Sequence, residues 1–349
     1  MYNMASGFLD VYDFGAKGDG LADDTAAVQK AIDTAYETGK TVYIGAGRFL
    51  CGELFLKPGV CVRSEPTWGY RDEDCGSAVL LQRDGRQECL IDLTYASGAT
   101  LDGLSLKGTG AGDCCGIALR GGAFNKKEDA FRIERCKIQG FSSHGVHLDR
   151  VWCFSLRHCM IGGCGGDGVR LHGWDGFVLD NWFSGNRGCG FAGVMPNASV
   201  TMTGNRIEWN GDCGIYIHKG NNYNITGNYI DRSGGAAVKI VNGSYDITVT
   251  GNIFYRSGKF AATGKDGYHA MLEHSADIIF TSNAMRIGMD DGRTGVVSPK
   301  RALKLEQLTN SVVMGNTLES LEEPLDDRGG HTGCVIRDNV GGKNKLPRE

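Results

Sequence analysis

From about residue 90 onward, apolar and polar residues alternate in short runs, such as Val146/Leu148, Val169/Leu171, Ile215/Ile217 and Val238/Ile240, each bounded by Gly, Asn, Asp or Ser. A period of two between turn residues predicts short, half-buried β-strands. The runs also recur: TMTGNRIEWNGDCGIYI, NITGNYIDRSGGAAVKI and TVTGNIFYRSG place Asn205, Asn228 and Asn252 at steps of 23 and 24 residues. Asn181, His158 and Arg135 extend the step backward, and Asn283 and Asn316 extend it forward across inserts, one of which contains Lys265-Asp266-Gly267. A unit of this length cannot bury its apolar face alone, so the repeats, covering roughly residues 90 to 340, are expected to stack into a solenoid with equivalent strands paired in parallel. The Leu-x-x-Leu-x-Leu consensus of leucine-rich repeats is absent, which leaves an all-β parallel β-helix. Asn at one fixed turn position fits a stacked amide ladder that tolerates left-handed backbone.

Ahead of the repeats, Asp23-Asp24-Thr25 precedes Ala27, Val28, Ala31, Ile32 and Ala35 on one helical face, and Gly39 ends the pattern. A helix over about 24–37 followed by the strand Thr41–Ile44 would close the open end of a solenoid. The expected organisation is an N-terminal cap over 1–60, a β-helix over 61–340 and a C-terminal tail over 341–349. Asp19, Asp23 and Asp24 are assigned to turns and capping, not to a metal.

Composition narrows the partners. Glycine at 54 of 349 residues, about 15%, is twice the usual share, but without a Gly-X-Y period and with only 6 Pro it signals tight turns rather than collagen or linker. The balance of 37 Lys+Arg against 41 Asp+Glu, with no basic run, gives no footprint for nucleic acid, and no stretch has the apolar length of a membrane span. The 13 cysteines are odd in number, lack paired Cys-x-x-Cys spacing and include the adjacent Cys114 and Cys115, so they are expected as free, buried thiols of a reducing compartment. The opening MYNMASGFLDVYDFG lacks a signal-peptide layout, and the expectation is a cytoplasmic protein or the trimmed form of a secreted one.

Within each repeat the apolar residues should point inward and the intervening ones outward, with equivalent positions on neighbouring coils about 4.8 Å apart. The outward column then reads Ala118, His147, Arg170, Ala192, Tyr216, Lys239 and Met271. The strand-end column reads Arg120, Asp149, His172, Val194, His218, Val241 and Glu273, and the strand-start column Cys115, His144, Asp167, Cys189, Cys213, Ala236 and His269. Five of the eight histidines fall in these three columns, which marks the face as the candidate site. His144, Tyr216, His218, Lys239, His269 and Glu273 are the expected substrate-binding residues; His147, Arg170, Asp167, His172, Asp149 and Asp212 are the catalytic candidates.

VYDFGAKGDGLADDTAAVQKAIDTA, followed by GKTVYIGAGRFL and LKPGVCVRSE, resembles the N-terminal segment of the pectate lyase superfamily, whose members include polygalacturonase-like hydrolases, mannuronan epimerases and phage tailspikes. The resemblance is close over about the first 65 residues and stylistic in the repeats. It implies a single-stranded, right-handed parallel β-helix with coils of about 23 residues and an N-terminal capping helix, binding a poly- or oligosaccharide in a groove over the outward face. Aligned on the epimerase pattern, HGVHLD and DGVRLH put His144, His147, Asp149 and His172 near that family's site, with His147-Leu148-Asp149 standing where the epimerases have Asp-Pro-His. The polygalacturonase Asn-Thr-Asp and Asp-Asp signatures are absent, and Ser143-His144-Gly145 only echoes its Gly-His-Gly.

Three chemistries fit the columns. In β-elimination on a uronate, Arg170 would clamp the carboxylate bidentately and His147, His172 or Lys239 would remove the adjacent proton. In hydrolysis, Asp167 and Asp212, two coils and roughly 10 Å apart, sit at the upper edge for inversion, while Asp149 and Asp167, about 16 Å apart at opposite strand ends, are too distant for retention. Intramolecular glycosyl transfer, as in β-helix fructotransferases, would need an outward glutamate, and none is seen there. A non-catalytic, tailspike-like binding solenoid is the alternative of another class. The cation-rich, carboxylate-poor reading of the face favours elimination. Calcium is the cation such a lyase would take, but the face shows no carboxylate cluster dense enough to hold it, so no metal site is assigned. The inserts at 257–268 and 287–301 are expected to wall one end of the groove; monomer and β-helix trimer both fit the pattern.

Overall fold

The computed structural model describes residues 7–69, 78–290, 292 and 294–343, with the side chain of Met195 excepted. It divides into two compact units, residues 1–165 and 166–349.

In the first unit the helix Thr25–Thr38 buries Val28, Ala31, Ile32 and Ala35, and Gly39, at φ 67°, turns the chain out in the left-handed conformation that glycine adopts without strain. Asp24 precedes the helix without capping it: its carboxylate accepts the backbone N–H groups of Lys17 (2.6 Å) and Gly18 (3.0 Å), while Asp23 accepts that of Thr25 (3.0 Å). These carboxylates and Asp19, which accepts from Leu21 and Ala22, are turn-holders, as their sequence context indicated. Beyond the cap each coil contributes to three parallel ladders. One runs Leu54–Phe55, Cys89–Asp92, Cys115–Arg120 and the first half of Val146–Arg157. A second runs Thr41–Tyr43, Cys61–Arg63, Thr100–Asp102, Phe131–Glu134 and the second half of that same long strand. The third runs from Gly47–Cys51 to Met160–Gly162.

The second unit repeats this plan. Long strands such as Val169–Leu179, Phe191–Thr203 and Tyr268–Thr281 serve two ladders, and the short strands Trp182–Ser184, Arg206–Glu208, Tyr229–Asp231, Ile253–Tyr255 and Ala284–Arg286 build the third. Val340–Lys343 pairs with Thr317–Ser320, so residues 341–343, expected as the start of a tail, are the last rung; 344–349 lie outside the described residues. The insert at 287–301 holds a small antiparallel hairpin, Gly288–Met289 with Val297–Ser298.

The repeating Asn is a buried amide ladder through the second unit. Asn181, Asn205, Asn228, Asn252, Asn283 and Asn316 each pass a side-chain N–H to the Oδ1 of the next Asn, the last of them to Asn339, at 2.8–3.1 Å, and that same oxygen accepts the preceding Asn's backbone N–H. The left-handed residue is the one before each Asn: Asp180 (φ 56°), Gly204, Gly227, Gly251, Ser282, Gly315 and Asp338. The backward extension through His158 and Arg135 is therefore one residue early. Those two occupy the left-handed position (φ 52° and 53°), and the rung itself is Cys159 and Cys136. Cys159 Sγ accepts the Cys136 backbone N–H at 3.4 Å and donates to the Ile133 carbonyl, the job the amide performs elsewhere. Several of the thiols are thus structural, and all twelve described cysteines are free, nine of them buried.

Candidate active site

In the first unit Ala118 lies opposite His147 and Arg120 opposite Asp149, as the alternation requires. Around them is a hollow of about 600 Å³ whose lining includes Arg86, Asp113, His144, His147 and Asp149. Its floor includes Cys115 and Ala118, which form a small apolar patch with the buried Cys89. The His144 and His147 rings lie 5.2 Å apart at 59°, and the Asp149 carboxylate accepts from Arg150 at 2.7 Å. Arg120 closes one side, hydrogen-bonded by three carboxylates, Glu53, Glu88 and Asp92. Burial alone would lower the Arg120 pKa, but the Asp92 hydrogen bond and the surrounding negative charge more than offset it, so the guanidinium is held above its ordinary value. Burial likewise pushes the Cys89 thiol up, aided by Glu53, to which its Sγ donates at 3.1 Å.

In the second unit the outward column is Arg170, Ala192, Tyr216, Lys239, Met271 and Lys304 in direct register. Cys189, Ala192, Cys213, Ala236 and Met271 form an apolar floor against which Val194, Tyr216 and Tyr268 pack. Asp167, only 7% exposed, accepts the Cys189 backbone N–H at 2.8 Å and an Arg170 N–H at 3.1 Å, which makes it a turn-holding and arginine-orienting group. Lys239 pairs with Asp266 at 2.6 Å and Asp212 with Lys265 at 2.9 Å, so the insert at 257–268 bonds to the face at two points. Glu273 pairs with Lys304 at 2.6 Å, and Tyr216 stacks with His218 at 6.2 Å.

Two expectations are corrected here. His269 is fully buried: its Nε2 meets the Arg286 carbonyl at 2.9 Å, its ring lies against Phe254, and burial brings its pKa down to about 3. It is a core residue and touches no substrate. With Val238 opposite Ala270, the register puts Tyr268, not His269, in line with Ala236. The strand-end column is also not continuous from His172 through Val194 to His218. The pairing slips between Leu171 opposite Gly193 and Gly173 opposite Asn197, so a bulge over 194–196 re-aims the chain there, while His218 does sit opposite Val241.

The face is not carboxylate-poor either. Arg120, Arg170, Lys239 and Lys304 each have a carboxylate partner, supplied partly by residues outside the three columns as they were read: Glu53, Glu88, Asp92, Asp266 and Glu306. Two of these carried a readable signal, since Asp92 continues the outward column one coil before Ala118 and Glu306 continues the strand-end column one coil after Glu273. Among the described residues no group of three or more His, Cys, Asp or Glu side chains is placed to hold a metal ion.

Two family models match the chain: a right-handed β-helix region over residues 90–284 and 196–345, and a rhamnogalacturonase A/epimerase, pectate lyase-like segment over 8–55. A mannuronan C5-epimerase of Azotobacter vinelandii is 27% identical over 282 residues, covering 77% of this chain and 26% of the relative. The chain therefore spans about a quarter of the length of that curated relative. Among solved structures, the A-module of a mannuronan C-5 epimerase from the same organism aligns at TM-score 0.65 and 19% identity over 97% of this chain and all of that one. Tailspike protein 2 of an Escherichia coli O157:H7 bacteriophage aligns at 0.73 and 17%, over 93% of this chain and 47% of that one.

Proposed function

Because the chain belongs to the right-handed β-helix family, with a pectate lyase-like N-terminal segment, we propose that it acts on a uronate-bearing polysaccharide by removing the proton on the carbon beside the uronate carboxylate. The observation that carries this reading is the His144/His147 pair beside Asp149 in the first unit's hollow. A neutral imidazole is a suitable base for a carbon acid near neutral pH, provided the carboxylate is neutralised as negative charge develops. His147, half-exposed on the outward column, is the base; Arg86, exposed at the rim, meets the sugar carboxylate. Arg120 is committed to three carboxylates and serves to fix the wall instead.

The carbanion has two fates. Expulsion of the oxygen on the next ring carbon breaks the glycosidic bond and leaves an unsaturated sugar, which is β-elimination. Return of a proton to the opposite face inverts the carbon and leaves the chain intact. The sequence similarity to mannuronan C5-epimerases supports the shared first step. The departure at His147-Leu148-Asp149 from the epimerases' Asp-Pro-His favours elimination as the outcome.

The test is a panel of uronate-containing and neutral glycans followed at 235 nm, with deuterium incorporation read by NMR and products weighed after reaction in oxygen-18 water. A new chromophore establishes elimination; deuterium at the carbon beside the carboxylate without a chromophore establishes inversion. His147→Ala should abolish either while leaving the circular dichroism spectrum unchanged. Oxygen-18 uptake without either signal would mean hydrolysis and refute the proposal, as would full turnover by His147→Ala. Binding without turnover would mean a tailspike-like adhesive role.

A further inference from the structure

The third ladder of the second unit carries an arginine held as a rigid fork, on strands other than those of the outward column. Arg206 lies between two rings, 5.4 Å from the Trp182 centroid and 4.7 Å from that of Tyr229, residues directly before and after it in the ladder register. Beneath it Glu208, only 4% exposed, accepts the Arg206 Nε–H at 2.9 Å and the Trp182 Nε1–H at 2.9 Å. The buried carboxylate thus fixes the guanidinium by its inner edge and the indole by its nitrogen, and the rings fix the plane. The side chain is still 48% exposed, and its Nη1 and Nη2 have no protein acceptor among the described residues. Neighbouring arginines differ: Arg232 is bonded to Asp231 and Asp290, and Arg256 doubly to Asp231.

A surface arginine ordinarily loses side-chain freedom when it grips a ligand, which is why exposed ion pairs contribute little. Here that freedom is already removed by the sandwich and by Glu208, and what faces solvent is two parallel N–H groups spaced for a carboxylate. The flanking indole and phenol offer flat surfaces to the apolar faces of sugar rings. We propose that Trp182, Arg206 and Tyr229 form a second, non-catalytic binding surface for a uronate residue of an anionic polysaccharide. The choice of uronate as ligand rests on the reading of the active site above.

The experiment is affinity electrophoresis of the full chain in gels containing a uronate polymer or a neutral glucan, with turnover of a short uronate oligosaccharide measured in parallel. Arg206→Ala and Arg206→Lys should each weaken retention by the uronate polymer about fivefold, with short-oligosaccharide turnover and neutral-gel mobility unchanged; lysine keeps the charge but not the planar fork. His147→Ala should lose turnover and keep Arg206-dependent retention, so failure of the active-site reading and failure of this surface give different results. Polymer retention unchanged in Arg206→Ala would overturn the proposal, as would full rescue by Arg206→Lys, which would reduce the surface to a point charge.

Discussion

Replacing Asn228 by alanine isolates the worth of one interior rung of the amide ladder. The wild-type side chain, 2% exposed, accepts the Asn205 backbone N–H at 3.0 Å and its Nδ2–H at 2.9 Å, and donates to Asn252 Oδ1 at 3.0 Å and the Met202 carbonyl at 3.0 Å. After truncation Asn205 Nδ2 keeps its bond to the Val178 carbonyl and Asn252 Oδ1 keeps the backbone N–H of residue 228, but the Asn205 N–H loses the acceptor described for it. One orphaned buried donor costs about 1–3 kcal/mol and each of the three weakened bonds about 0.5–1.5 kcal/mol, giving roughly 2.5–7.5 kcal/mol for the rung. The terminal rung supplies the control. Asn339 accepts from Asn316 and donates to the Val313 carbonyl at 3.0 Å, but these bonds are only partly buried and water can replace them, so Asn339→Ala should cost about 1 kcal/mol. Urea unfolding followed by circular dichroism, with slopes compared to verify that the same structure is lost, measures both. Equal losses for the two variants, or a loss under about 1 kcal/mol for Asn228→Ala, would refute the reasoning that a buried rung of the amide ladder is worth several times an exposed one.

Acid should destabilise the second unit through His269. Its imidazole ordinarily takes a proton near 6.5, but burial, partly offset by the Arg286 carbonyl, delays this to about 3 in the folded chain. The unfolded chain therefore binds more protons between those values. The contribution is complete above 6.5 and lost as pH falls through the window, by at most about 1.4 kcal/mol per pH unit. Urea midpoints at pH 7.5 and 5.0 should differ less in His269→Asn than in wild type, and equal differences would discount the residue. Asp266→Asn removes one of the two ion pairs that bond the insert at 257–268 to the face, Lys239 to Asp266 and Lys265 to Asp212, and should speed amide exchange over 261–267 with the Asn ladder unaffected. Unchanged exchange there would mean that the insert is held by its backbone bonds, Gly258 to Gly235 and Phe260 to Gly234.

The parts of this molecule that were readable in advance are those governed by local periodicity. Alternation fixed which side of the strands Val169, Leu171, Ile215 and Ile217 occupy, all fully buried, and the 23-residue step located the amide ladder. What escaped was set by contacts distant in the chain. Glu53 meets Arg120 across 67 residues, and Asp266 reaches Lys239 from an insert with no pattern of its own. His269 was misread for a different reason. The register runs through the insert unshifted and sets His269 in line with Ala237, one residue past the strand-start column, at an inward turn position where neighbouring coils carry the small residues Gly190, Gly214 and Ala237. Cys136 and Cys159 escaped because a thiol and an amide share no sequence signature, although both can accept a backbone N–H and donate to a carbonyl at the same turn.

The pairing of nearly every cation on the outward columns changes how an anionic substrate would be bound. An unpaired lysine row would attract a uronate polymer from a distance, with strong dependence on salt. At Lys239 on Asp266, Lys304 on Glu273 and Glu306, and Arg170 on Asp167, unlike at the Arg86 proposed to meet the reacting uronate, binding would instead be an exchange, in which a sugar carboxylate displaces a protein carboxylate that is already well placed. Such an exchange gains little from charge alone and depends on geometry: on the second hydrogen bond of a fork, on the sugar ring lying over Tyr216 and the apolar floor of Cys189, Ala192 and Met271, and on the insert yielding Asp266. Discrimination between a uronate and a neutral sugar then comes from how well the carboxylate fits rather than from the sign of the field. That is a suitable arrangement for a chain whose net charge of −4 would otherwise repel the polymer it is proposed to act on.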